Sequence, residues 1–170
     1  PDVDKLKVPE HARRTWTPEQ CELIIRAALE RPGYVGPVPA SIFWPALLLT
    51  IANTGGRINS IMRMPVGDVD FERQDIFLRH KNVKDNADKH YPLLPATAVA
   101  IDRLLGSLPP AMRTPESDLW SCWPYDRSGI YWSCLRNHYK KILQAAGLPR
   151  SRRDLFHGLR AYTGTRIAAK

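Results

Sequence analysis

Residues 46–64, ALLLTIANTGGRINSIMRM, decide how this chain folds. With the residues just before it, the first half makes Ser41 to Asn53 apolar nearly all round, the pattern of a helix buried in a core. Pro45 fits best in the first turn of that helix, where its missing N–H costs nothing. Gly55 and Gly56 then supply the left-handed geometry that ends it. Arg57 to Met64 forms a second, short helix with Ile58, Ile61 and Met62 inward, stopped before Pro65. The stretch therefore sets an arginine just past a glycine pair, at the end of a buried helix.

Working outward toward the N-terminus, Arg31 to Pro39 is rich in Gly and Pro and reads as a loop. Thr17-Pro18-Glu19-Gln20 is a helix start, with a threonine cap, proline at the first helical position and glutamine completing a capping box. Cys21, Ile24, Ile25 and Ala28 follow it at amphipathic spacing. Residues 1–16 lack periodicity and read as a linker or tail, leaving 17–170 as the domain. A start on Pro1 rather than Met points to a piece of a longer protein.

Toward the C-terminus the pattern changes at Val69. Val69 to Phe71, Ile76 to Leu78 and His90 to Leu93 predict three short antiparallel strands. The polar segment Arg79 to Lys89 joins the last two, with Asn86 available for a turn. Thr97 to Leu105 predicts a helix with Ala98, Ile101, Leu104 and Leu105 on one side. Pro109 to Pro124 reads as irregular. Ile130 to Ala146 is a long helix stopped by Gly147, Arg150 to Asp154 is a basic loop, and a last helix starts near His157. The fold class is α+β, mostly helical, with a small three-stranded antiparallel sheet at one side.

A hydrophobic content of 44% and a charged content of 25% are those of an ordinary globular domain. The net charge of +8 is not ordinary, and it suits a polyanion such as nucleic acid, or an anionic membrane surface. The excess is concentrated late: Arg136 to Lys170 holds nine Lys or Arg against one acid, Asp154. Arg150, Arg152 and Arg153 are candidate phosphate contacts there. Ala46 to Ala52 is the longest apolar run and Thr50 interrupts it, too short for a membrane span. Cys21, Cys122 and Cys134 form no CxxC pair and read as reduced, buried thiols without zinc or disulfide.

Arg57 now acquires a partner in His157-Gly158-Leu159-Arg160. Two arginines from separate elements can clamp both non-bridging oxygens of a phosphodiester, because guanidinium is planar, always charged and donates paired hydrogen bonds. A nearby lysine or histidine can protonate a leaving oxygen. Thr54-Gly55-Gly56-Arg57, a lysine-bearing hairpin closed by Pro92-Leu93, then Ala146-Gly147-Leu148-Pro149, a basic loop and His157 to Arg160 resemble, in that order, the catalytic domain of the tyrosine recombinases (phage integrases). The resemblance runs from about Thr15 to Lys170.

That resemblance implies a DNA breaking-rejoining catalytic core in which Arg57 and Arg160 bind the phosphate. It makes His157 the general acid/base and Lys84, eight residues before Pro92, the catalytic lysine, with Lys81 and Lys89 as fallbacks. It implies recombination or integration of double-stranded DNA through a 3′-phosphotyrosyl intermediate, with other protomers in a synaptic complex and without metal, cofactor or membrane. A cytoplasmic bacterial or phage-encoded mobile-element setting goes with it. A type IB topoisomerase-like enzyme and a non-catalytic DNA-binding module of the same fold are the alternatives.

Two positions depart from the family pattern. Ser60 stands where an acid usually orients the first arginine, and Ala161 where histidine commonly follows the second. The larger departure concerns the nucleophile. Tyr162 lies two positions after Arg160, on the same helix turn, and reads as a packing tyrosine, while Tyr125, Tyr131 and Tyr139 precede the motif. The expectation is a catalytic domain without its C-terminal segment, able to hold DNA and unable to cut it.

Overall fold

The computed structural model describes residues 15–79, 87–123, 130–150, 155–160 and 162, with the backbone alone for 130–132. Lys81, Lys84, Asn86, Arg152, Arg153, Asp154, Tyr125 and Ala161 lie outside these described residues.

Helix α1 (Pro18–Leu29) begins as the sequence dictates: Gln20 N–H donates to the Thr17 hydroxyl and Thr17 N–H to the Gln20 side chain. It buries Cys21, Ile24, Ala27 and Ala28. Trp16, read as tail, is only 6% exposed and belongs to the packed body. The expected loop at 31–39 contains a small hairpin, β1 (Tyr34–Val35) against β2 (Val38–Pro39), paired Val35 to Val38. Its turn needs Gly36, which has φ 57°, and an added Cβ there would lie 2.5 Å from the Cys122 carbonyl oxygen.

Helix α2 (Ala40–Thr54) runs through the core, packed against α1 and both hairpin strands. Phe43, Trp44, Ala46, Leu47, Leu48 and Ile51 are fully buried, each of the larger ones worth about 1.5–3 kcal/mol. Pro45 is not in the first turn: it lies inside the helix, whose start is at Ala40. There it withholds a ladder N–H, a defect the packing on all sides must outweigh. The buried Thr50 and Thr54 hydroxyls donate to the Ala46 and Thr50 carbonyls, both at 2.8 Å, so neither is left unsatisfied. Gly55 caps the helix at φ 61°.

Short α3 (Ile58–Ile61) follows, with Ile61 and Met62 buried and Ile58 packed against the core. A 3-10 turn (Val66–Asp68) leads into the sheet β3 (Val69–Asp70), β4 (Asp75–Leu78) and β5 (Lys89–Pro92), in order β3-β4-β5 and antiparallel throughout. The three expected strands are present, although Phe71 falls in the turn and Leu93 beyond β5. Ile76 and Leu78 face the core, and Phe77 stacks on His90 at 4.8 Å.

Helix α4 (Pro95–Ser107) starts two residues earlier than its apolar spacing suggested, because Pro95 serves as first helical residue. Among its described residues the proline-rich stretch is irregular apart from a 3-10 turn (Pro110–Met112), yet it delivers Trp120 and Trp123 to the core. Both pack on Phe43, and the Trp120 indole N–H donates to the Ile61 carbonyl at 2.7 Å. Helix α5 (Ile130–Ala145) buries Leu135, Tyr139, Ile142 and Leu143 and is stopped near Gly147, at φ 69°. Cys21 and Cys122 are buried, which pushes each thiol up to about 11; Cys134, expected to be buried, is exposed. No helix among the described residues is long and apolar enough to cross a membrane.

Candidate functional site

The two arginine-bearing segments meet through one hydrogen bond. Arg160 Nε donates to the Gly55 carbonyl at 2.8 Å, across 105 positions of chain. That carbonyl lies at the end of α2, where the last carbonyls have no intrahelical partner. The last turn of α2 contains no basic residue of its own, so Arg160 supplies the cation that a helix C-terminus favours. A helix end without side-chain charge thus becomes the dock for a guanidinium from the far end of the sequence.

Two residues beyond Gly55, Arg57 is the N-cap of α3, with extended backbone and no side-chain capping bond. Its carbonyl accepts from Ser60 and Ile61 N–H, which fixes the backbone while the side chain stands exposed. Among the described residues the Arg57 side chain has no hydrogen bond or ion pair. Ser60, at the position of the expected acid, is 2% exposed, so a carboxylate there would be buried. Gly56 keeps the junction tight: an added Cβ would sit 2.7 Å from Ile61 Cδ1 and 3.1 Å from the Thr54 hydroxyl.

A helical turn at 156–160 holds the second motif. Leu155, Phe156 and Leu159 are buried, His157 is exposed and Arg160 is half-buried. His157 and Arg160, three apart, share one face of the turn. Tyr162 packs against the core.

Of the other candidates, Arg150 is exposed and donates to the Gln144 side chain at 2.7 Å, at the end of α5. Lys89 is half-buried in β5, opposite Leu78. The segment that carries Lys84 leaves β4 through Arg79, whose guanidinium forms a two-pronged pair with Asp68 (2.9 and 2.7 Å to Oδ1, 3.1 Å to Oδ2). Asp68 is buried, and its carboxylate raises the Arg79 pKa above the usual guanidinium value. At the far strand, His90 Nδ1 pairs with Asp75 Oδ2 at 2.5 Å.

Sequence reasoning missed the Asp68–Arg79 anchor and also Asn53. The Asn53 amide donates to the Pro92 carbonyl at 2.8 Å and accepts from Leu94 N–H at 2.9 Å, tying the end of α2 to the end of the sheet. A buried acid needs a cation and a buried amide needs backbone partners, but neither partner is legible from local spacing. A cleft of about 520 Å³ is lined by Arg63, Pro65, Gly67, Arg79, Pro115, Glu116 and Asp118, and Arg57, His157 and Arg160 do not contribute to its lining. Among the described residues no group of three His, Cys, Asp or Glu could hold a metal.

No protein-family model matches this sequence, and no curated protein matches it. Solved structures do. XerA recombinase is similar over 96% of this chain and 52% of its own, with TM-score 0.67 and 16% identity. The Tn1549 transposon integrase, in complex with circular intermediate DNA, is similar over 98% of this chain and 55% of its own, with TM-score 0.65 and 17% identity. The chain spans about half the length of these solved chains. The helical body with its small three-stranded antiparallel sheet has the fold of these recombinase and integrase structures.

Proposed function

We propose that this chain is a catalytic-domain part of a site-specific DNA recombinase and holds a phosphodiester of double-stranded DNA between Arg57 and Arg160. The observation that carries this is the Arg160–Gly55 hydrogen bond, which brings the second arginine to the helix end that presents the first. Arg57, exposed and without a protein partner among the described residues, is available to an anion. Arg160 has its guanidinium orientation set in advance, the preorganisation that stabilises growing phosphate charge. His157, exposed on the same face as Arg160, is the acid/base candidate, and Lys84 the proton donor to the leaving 5′ oxygen.

The nucleophile in this proposal is a tyrosine supplied from outside these 170 residues. Tyr162 is packed against the core one half-turn from Arg160, where it cannot also approach in line with a phosphate that Arg160 holds. The full enzyme would then join strands through a 3′-phosphotyrosyl intermediate and assemble with further protomers on its DNA.

The test is incubation of the 170-residue chain with a nicked suicide duplex, followed by denaturing electrophoresis. Non-covalent binding without a covalent adduct is the expected result. An adduct mapped to Tyr162 overturns the assignment of the nucleophile, and no binding at low salt overturns the phosphate site.

A further inference from the structure

Gly158, between His157 and Arg160, is buried. A Cβ added there would lie 2.6 Å from Cδ1 and 3.0 Å from Cε2 of the Trp16 indole, and closer still to its Nε1. Non-bonded heavy atoms settle at about 3.5–4.0 Å, so the indole stands where any side chain at 158 would have to go. The backbone N–H of Trp16 also donates to the Gly158 carbonyl, at 3.5 Å.

Tyr139 of α5 completes this arrangement. Its ring is fully buried and stacks on Phe156 at 4.6 Å, with the planes 10° apart. Burial pushes its hydroxyl pKa well up, and the nearby Trp16 indole N–H draws it part of the way back. The two polar groups are close, yet neither reaches hydrogen-bond geometry with any partner among the described residues. Phe156 and Gly158, on either side of His157, are thus gripped by Tyr139 and Trp16. Trp16 in turn directly precedes the capping box that starts α1, so its backbone is tied to a helix end.

We propose that Trp16 is a positioning residue for the candidate phosphate site. Its indole, seated on the bare backbone of Gly158 and flanked by Tyr139, sets the pose of the 156–160 turn and with it the reach of Arg160 to the Gly55 carbonyl. The effect on DNA rests on the function proposed above; the effect on Arg160 does not. A tryptophan that only filled the core would alter stability and leave the Arg160 hydrogen bond in place.

The experiment uses the 15N-labelled chain and the variants Gly158→Ala, Trp16→Leu, Trp16→Phe, the Gly158→Ala/Trp16→Leu double and Arg160→Ala. It reads the Arg160 Nε–H resonance and its hydrogen exchange, together with affinity for a short fluorescent duplex. Gly158→Ala displaces the indole, so Nε–H exchange should quicken and duplex affinity fall, each by about tenfold. In the double variant the smaller leucine side chain makes room for the new methyl, and both readouts should return most of the way. Trp16→Phe, the mildest change, covers the case in which Gly158→Ala does not fold, and it should quicken exchange by a smaller factor. Unchanged Nε–H exchange in whichever of Gly158→Ala and Trp16→Phe folds, even with a lowered melting temperature, overturns the proposal, as do strictly additive effects in the double. If exchange responds and is rescued while duplex affinity ignores both Gly158→Ala and Arg160→Ala, the positioning contact stands and the DNA reading fails.

Discussion

Arg57 stands exposed at the junction of α2 and α3 with no side-chain partner among the described residues, whereas Arg160 is half-buried and gives its Nε–H to the Gly55 carbonyl. Backbone alone places the first: a left-handed Gly55, a tightly packed Gly56 and an extended Arg57. The second is placed by its own hydrogen bond and by the aromatic grip on residues 156 and 158. Two arginines of the same proposed duty should therefore respond to mutation in different ways. Removing Arg57 takes away a contact to the ligand; removing Arg160 also takes away a strut.

Substitutions at four positions sharpen or break that contrast. The largest loss of stability should come from Asn53→Ala, which leaves the Pro92 carbonyl and Leu94 N–H without their partner; chemical denaturation should show a cost of about 1–3 kcal/mol. A cost near zero would mean that the end of α2 is held by apolar packing alone. Arg160→Ala comes next, losing a charge-assisted hydrogen bond worth about 1.5 kcal/mol after allowance for its partial exposure. Arg160→Lys should not restore it, because an ammonium cannot reproduce the planar Nε–H. Gly55→Ala forces an L-residue to φ 61° and should cost about 1 kcal/mol. Duplex affinity should fall with it, since Arg57 is carried on the same turn. Arg57→Ala should change stability by no more than about 0.5 kcal/mol while weakening duplex binding as much as Arg160→Ala. If Arg57→Ala unfolds the domain instead, the contrast between ligand contact and strut is lost.

The sequence made parts of this arrangement legible and hid others for identifiable reasons. Helix α2 was readable because a helix buried on all sides must be apolar on all sides, and its end because a left-handed cap calls for glycine. The sheet announced itself through alternation in 69–78 and the run at 90–93. The β1–β2 hairpin did not, since two-residue strands are too short to alternate and Gly36 is fixed by its fit against Cys122, far away in sequence. Trp120 and Trp123 reach the core from a segment without periodicity, where only tertiary packing decides the conformation.

At the candidate site the residue types and their order were legible, but the means of assembly was not. Nothing local to Arg160 announces a bond to Gly55, and nothing in the apparent tail announces that Trp16 is buried on Gly158. Lys84, Arg152 and Arg153 lie outside the described residues, and their proposed roles rest on the resemblance and on the charge of their segments.

The most direct measurement of the central claim is the salt dependence of duplex binding by the intact chain, by Arg57→Ala and by Arg160→Ala, followed by fluorescence anisotropy. Binding through phosphate contacts releases counterions, so log K should fall linearly with log salt, and each substitution should make the slope shallower by about one. Equal slopes in all three proteins, or an affinity indifferent to salt, would contradict a phosphate held between Arg57 and Arg160.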